Sequence, residues 1–91
     1  MRSALTLTDN ELANCIGDVS LSLVREIINK PYCVDADGYV DGEQFAQWFS
    51  YALEGMIDAD EETEEWDIAS KVNYDWGWEI SEGINDYLDE E

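Results

Sequence analysis

Apolar residues recur at intervals of three and four in three segments of the chain, which is the spacing of one face of an α-helix. The three segments span residues 9–29, 42–57 and 63–88. Thr8, followed three residues later by Glu11, fits a capping box at the start of the first helix, and Pro31 marks its end. Asp41 is placed to cap the second helix, while Gly17 is a weak position inside the first. The pattern therefore predicts three helices.

The third segment fits two patterns. Residues 72–80 alternate strictly between apolar and polar side chains, as in a half-buried β-strand. The whole segment also carries a longer helical stripe, which consists of Trp66, Ala69, Val72, Trp76, Ile80, Ile84, Tyr87 and Leu88. Because a strand without a long partner is barely stable, we expect a helix, kinked near Gly77 or Gly83. The predicted fold is a small all-α domain of three helices over residues 1–91, and the alternative is an α+β fold with a strand at 72–80.

The connection between the first two helices, residues 30–41, is rich in turn-forming residues and has room for a short β-hairpin. Residues 33–45 resemble the calcium loop of EF-hand proteins because acids occupy three ligand-type positions: Asp35, Asp37 and Asp41. The first ligand position instead holds Cys33, and the position of the bidentate glutamate holds Gln44. We therefore expect an Asp/Gly turn, with no bound metal and no cofactor.

The composition is strongly acidic. The 91 residues include 23 Asp and Glu, 4 Lys and Arg and no histidine, which gives a net charge of −19. Binding to nucleic-acid phosphates or to an anionic membrane needs clustered Lys and Arg, so direct binding to either is excluded. Four Trp, five Tyr and two Phe favour a folded domain over a disordered chain. No apolar run has the length of a secretory signal or a membrane span, so we expect a cytoplasmic protein.

Sequence motifs for catalysis are missing. Without histidine the usual general base and metal ligand is absent, and no Gly-rich phosphate loop or nucleophile elbow occurs. The two cysteines, Cys15 and Cys33, are too few for a metal site, and the apolar spacing puts Cys15 in the core. Residues 17–21 resemble the serine site of acyl carrier proteins, but Val19 interrupts the motif, so Ser20 is interpreted as a helix-surface serine. We predict no enzymatic activity.

The acids are concentrated towards the C-terminus. The run 58–65 holds six acids and no base. On a helix, a second set forms one stripe with steps of three and four residues: Asp75, Glu79, Glu82, Asp86 and Asp89. Neighbouring carboxylates of such a stripe lie roughly 5–6 Å apart, close to the spacing of phosphates along a nucleic-acid strand. A face made only for solubility, which is the alternative, normally mixes both signs, so the pattern predicts binding to a strongly positive surface.

Two aromatic residues lie beside the acids on the helical wheel. Tyr74 and Trp78 point away from the predicted apolar stripe, as aromatic anchors that stack on Arg side chains do. If residues 72–80 were a strand, both would belong to the core. The predicted partner-binding residues are Asp58, Asp60, Glu61, Glu62, Glu64, Glu65, Asp67, Tyr74, Asp75, Trp78, Glu79, Glu82, Asp86, Asp89 and Glu90.

In size, acidity, aromatic content and acidic helix ends such as residues 86–91, the chain resembles the DNA-mimic inhibitors of phages and mobile elements, which include anti-restriction and anti-CRISPR proteins. The resemblance implies an inhibitor that occupies the Lys- and Arg-lined nucleic-acid site of a host restriction, CRISPR or repair enzyme. The alternative is an acidic adaptor or assembly protein that binds through an aromatic patch, with a homodimer as one arrangement. A third interpretation is a weak calcium-binding or carrier-type protein.

Overall fold

The computed structural model describes residues 3–90, and within that range the chain is all-α, as predicted. The elements are a single-turn 3-10 helix at Ala4–Thr6, α1 at Asp9–Ile16, α2 at Leu21–Ile28, α3 at Gly42–Glu54 and α4 at Glu64–Asp89. No strand forms in the described range, so the alternative of a strand at 72–80 is wrong. The expectations of one domain over residues 1–91 and of no secretory signal also cover residues 1, 2 and 91, which lie outside the described residues.

The predicted first helix, 9–29, is wrong in its continuity, because the structure divides it into α1 and α2. Gly17 takes a φ of 65°, a backbone conformation that glycine adopts at little cost and that ends α1. Ser20 then caps α2, since its hydroxyl accepts a hydrogen bond from the Leu23 N–H at 3.4 Å. The capping box at the start of α1 is confirmed by reciprocal bonds of 3.0 and 3.2 Å between Thr8 and Glu11. As a result, α1 packs on α4 and α2 packs on α3.

The connection at 30–41 contains the expected turn, but its hairpin is reduced to one antiparallel bridge between Val34 and Val40. The Asp35 carboxylate accepts hydrogen bonds from the N–H groups of Asp37 and Tyr39, at 2.9 and 3.0 Å. The side chain of Asn85 on α4 holds the connection, because it accepts from the Val40 N–H at 2.8 Å and donates to the Val40 carbonyl at 2.9 Å.

The two long helices begin within one residue of their predicted starts. Asp41 accepts from the Gln44 N–H at 3.1 Å at the start of α3, which ends at Glu54 rather than at the predicted residue 57. Thr63 accepts from the Trp66 N–H at 3.2 Å at the start of α4. Helix α4 then continues for 26 residues without a break, through both glycines at which a kink was expected.

The face of α4 that enters the core differs from the predicted apolar stripe. A β-carbon on Gly77 would lie 2.8 Å from Cα of Ala46 and 3.1 Å from Cβ of Phe49, so α3 and α4 approach closely at this glycine. The approach rotates Val72 and Trp76 towards solvent, where they are 57% and 42% exposed. The buried residues of α4 are instead Gly77, Ile80, Ser81, Ile84 and Leu88.

The two halves of α4 have different neighbours. The N-terminal half, residues 64–77, packs against α3, where it contacts Ala46, Phe49 and Ser50. The C-terminal half, residues 78–89, also meets α1 and the connection at 30–41. None of the described helices combines the length and the apolarity needed to cross a membrane.

Candidate protein-binding surface

The predicted acidic residues are all exposed, on α4 and on the turn that precedes it. We call this set the acidic surface: Asp58, Asp60, Glu61, Glu62, Glu64, Glu65, Asp67, Asp75, Glu79, Glu82, Asp86, Asp89 and Glu90. The members from Asp58 to Glu62 lie on the turn between α3 and α4, and those from Glu64 onwards lie on α4 or directly after it. One continuous helix therefore positions most of the predicted contacts.

The C-terminal part of the acidic surface is a stripe on the side of α4 that faces away from the core. With about 100° of rotation per residue, the centre of the stripe from Asp75 to Asp89 lies about 160° from the centre of the buried residues. The stripe is about 21 Å long at a rise of about 1.5 Å per residue. Because α4 has no break, neighbouring residues of the stripe keep the regular helical spacing of roughly 5–6 Å between their Cβ atoms.

Little positive charge offsets these carboxylates. Among the described residues, the Arg25 guanidinium pairs with Asp9 at 2.9 Å, and no ion pair involves the acidic surface. The Lys30 ammonium lies 5.0 Å from the centre of the Trp48 ring, outside the acidic surface. Lys71 is the one base of α4, and it belongs to the N-terminal half. The charged groups of the C-terminal half are therefore all negative, and such a surface attracts cationic partners at long range.

The last acid of the stripe is held in place by a hydrogen bond from a different part of the chain. The Tyr39 hydroxyl donates to the Asp89 carboxylate. This hydrogen bond, together with burial and neighbouring acids, raises the pKa of Tyr39 above its usual value. The phenol therefore remains a donor at neutral pH, and it links the connection at 30–41 to the end of α4.

The acids at the start of α4 have a structural role in addition to the predicted one. Glu64, Glu65 and Asp67 lie in the first turn of α4, after the Thr63 cap. Negative charge at this end of a helix interacts favourably with the helix dipole. These three residues are therefore explained in part by helix stability, whereas the stripe from Asp75 to Asp89 lies beyond the first turn.

The two predicted aromatic anchors are partly used in packing within the chain. The Trp78 ring occupies the space that a side chain at Gly42 would take, and Trp78 remains 37% exposed. Tyr74 is half-buried and lines an open groove of about 380 Å³ between α3 and α4, together with Tyr51 and Trp66. Each aromatic therefore leaves only part of its ring available for a partner.

The structure exposes large apolar residues, of which Val72 and Trp76 belong to the predicted apolar stripe of the third helix and Ile68 does not. Met56 is 79% exposed. On α4, Val72 lies one turn before Trp76 and Ile68 lies two turns before it, and each of the two is 57% exposed. We call Met56, Ile68, Val72 and Trp76 the apolar face. The small residues Ser70, Gly77 and Ser81 were the signal for this arrangement, because small residues on one side of a helix permit close packing there.

A second open groove, of about 420 Å³, connects the apolar face to α3. Its apolar lining consists of Leu53, Met56, Ile57, Ala59, Ala69 and Trp76. The remaining lining residues are Asp58, Glu65 and Asn73, so the charged groups at this groove are both carboxylates.

The two thiols are protected from ionisation. Burial raises the pKa of Cys33 to about 11, with a smaller contribution from Asp41. Burial also raises the pKa of Cys15, which is half-buried against the core as predicted. Thiolate is the nucleophilic form, so neither cysteine is activated for covalent chemistry at neutral pH. Over residues 3–90, no cluster of three or more acids, cysteines or histidines has a geometry that would hold a metal ion.

Comparisons with models of protein families, with curated proteins and with solved structures each find no match to this chain.

Proposed function

We propose that this protein is a nucleic-acid mimic that inhibits a DNA- or RNA-binding defence enzyme in the cytoplasm of a host cell. The observation that carries the proposal is the stripe from Asp75 to Asp89, which lies on an unbroken helix and faces away from the core. Its carboxylates repeat at roughly 5–6 Å, which is comparable with the phosphate repeat of a nucleic-acid strand.

The stripe destabilises the helix, and its exposed acids take no part in the packing of the core. Like charges three or four residues apart on a helix destabilise it by roughly 0.2–0.5 kcal/mol per pair. A surface that serves solubility normally mixes both signs, whereas the C-terminal half of α4 contains no Lys or Arg. Binding to a strongly positive surface is a function that accounts for this arrangement.

The proposed mechanism is competition without catalysis. The acidic surface enters a channel lined with Lys and Arg and takes the place of the nucleic-acid backbone. Long-range attraction accelerates association, and salt weakens it by screening. The exposed parts of Tyr74 and Trp78 stack on Arg side chains at the edge of the contact.

The proposal is tested by capture from a nuclease-treated bacterial lysate on the immobilised native chain. We expect a nucleic-acid enzyme that is retained at low salt and released by added duplex DNA or by moderate salt. A stripe variant tests the assignment of the surface, with Asp75→Lys, Glu79→Lys, Glu82→Lys and Asp86→Lys combined. We expect this variant to keep its helical circular dichroism and to lose the captured enzyme.

A matched control separates the stripe from net charge. It combines four reversals at exposed acids outside the acidic surface: Asp18→Lys, Glu26→Lys, Asp37→Lys and Glu43→Lys. Both variants change the net charge equally, so we expect the control to retain the enzyme better than the stripe variant does. Equal loss in both variants, or full retention by the stripe variant, would contradict the role of the stripe.

A second candidate function, an acidic adaptor, is favoured by the exposed apolar face. An adaptor that binds through apolar contacts would hold its partner in high salt, because burial of apolar surface is not screened by ions. A captured protein that remains bound in high salt, and that also binds the stripe variant, would support the adaptor over the mimic.

A further inference from the structure

We propose that the apolar face and its adjoining groove bind a basic amphipathic helix of the partner, with apolar side chains against Val72 and Trp76 and Lys or Arg side chains beside the acids. The inference rests on the proposed function in one respect, which is that the partner is a basic protein. It adds a second, apolar contact on the same helix as the acidic surface.

The first support is the extent to which large apolar side chains are left uncovered. Ile68, Val72 and Trp76 follow one another at four-residue steps, so they form a continuous line along α4. Trp76 and Met56 both line the groove of about 420 Å³, which joins this line to α3. A line of apolar anchors beside a groove between two helices is the type of site that receives one face of another helix.

The second support is the charge around this site. Asp58 and Glu65 line the groove itself. On the exposed side of α4 next to the apolar line lie three acids and one base, which are Glu64, Asp75, Glu79 and Lys71. No Lys or Arg lines the groove. An apolar segment flanked by Lys or Arg would place opposite charges against this rim and apolar side chains against its centre.

Charge also argues against a second copy of this chain as the occupant. Two copies that met through their apolar faces would bring Asp58 and Glu65 of each chain towards those of the other, at a net charge of −19 per chain. Like charges that face each other across an interface cost several kcal/mol. A basic partner removes this cost and gains attraction from the same groups.

The test uses designed peptides of about 18 residues, long enough to form a helix when bound. The first peptide places Leu at helical spacing and Lys elsewhere. The second replaces each Leu by Ser, and the third replaces each Lys by Glu. Fluorescence anisotropy of the labelled peptide measures binding to the native chain and to a double variant, Ile68→Gln with Val72→Gln. Leu5→Gln, at an exposed apolar residue of the 3-10 helix, is the matched control.

We expect the Leu/Lys peptide to bind the native chain and the Leu5→Gln control equally. We expect the double variant to bind it at least about tenfold more weakly, since two apolar contacts are lost. The Ser/Lys peptide should bind more weakly and lose its binding in high salt, and the Leu/Glu peptide should not bind. Because both substitutions lie at exposed positions, the double variant should keep the native circular dichroism spectrum.

Three results would overturn the inference. The first is equal binding of the Leu/Lys and Ser/Lys peptides, and the second is equal binding of the Leu/Lys peptide by the native chain and the double variant. The third is a dimer in sedimentation that the double variant abolishes, because the occupant would then be a second copy. No nucleic-acid enzyme is present in these experiments. A negative result would therefore contradict the proposed helix-binding site without contradicting the proposed inhibition.

Discussion

The N-terminal and C-terminal halves of α4 belong to one unbroken helix, but they are covered to different degrees. In the C-terminal half, Ile80, Ile84 and Leu88 are buried, and the outward side carries acids, polar groups and the partly exposed Trp78. In the N-terminal half, large apolar residues such as Ile68 and Val72 are more than half exposed. The difference follows from the neighbours, because α1 and the connection at 30–41 cover the C-terminal half in addition to α3.

The two halves of α4 therefore present different kinds of surface. The C-terminal half has all its aliphatic residues in the core, so most of its exposed side is free to carry a regular array of carboxylates. The N-terminal half keeps apolar side chains at the surface, beside carboxylates on the same helix. A partner that meets the whole helix would therefore encounter a charged segment and a mixed segment, and the two require different tests.

The largest effect is expected from equivalent truncations in the two halves. Ile84→Ala removes a fully buried side chain and should lower the free energy of unfolding by about 2–5 kcal/mol. Val72→Ala removes an exposed side chain and should change it by less than about 0.5 kcal/mol. Urea denaturation of both variants measures the difference. Equal losses would mean that the N-terminal half is as well packed as the C-terminal half, and the comparison would fail.

An intermediate effect is expected from the two asparagines of α4. Asn85→Ala leaves the N–H and carbonyl of Val40 without their partners, so it should cost about 1–3 kcal/mol. Asn73 makes no side-chain hydrogen bond within the described residues, and Asn73→Ala should be close to neutral. Thermal unfolding of the two variants checks the contrast. A neutral Asn85→Ala would show that the connection at 30–41 does not depend on the C-terminal half.

The smallest effect, counted per pH unit, is a dependence of stability on alkaline pH. Burial raises the pKa of the folded Cys33 thiol to about 11, whereas an unfolded thiol titrates near about 8.5. Between these values the unfolded chain loses the proton and the folded chain keeps it, so the free energy of unfolding should fall as pH rises. The expected slope is on the order of 1 kcal/mol per pH unit. Urea denaturation from about pH 8 to about pH 11, repeated with Cys33→Ala, should show a shallower slope in the variant.

The starts of two helices could be predicted from capping residues in the sequence, because capping is a local interaction. Thr8 and Asp41 each accept a hydrogen bond from an N–H three residues ahead, so a few neighbouring residues define each boundary. The exposure of the acids was predictable for a similar reason, since unpaired carboxylates are costly to bury. The acidic part of the candidate site therefore lies where the sequence placed it.

The apolar face could not be predicted from periodicity alone. Val72 and Trp76 continue the same four-residue line as Ile80 and Ile84, and both pairs look equally suited to the core. What excludes the first pair is the close approach of Gly77 to Ala46, which turns a different side of the helix towards α3. The two residues are 31 positions apart in the sequence, so no local pattern predicts their contact.

The sequence by itself determined the helical class of the fold, the starts of its long helices and the negative sign of its surface, because these depend on neighbouring residues and on composition. Only the tertiary structure decided that the first predicted helix divides at Gly17 and that α4 presents the apolar face to solvent. Helical periodicity defines which residues share a face, but packing against α3 decides which face is buried. The relation between the apolar face and the acidic surface is therefore a property of the assembled domain.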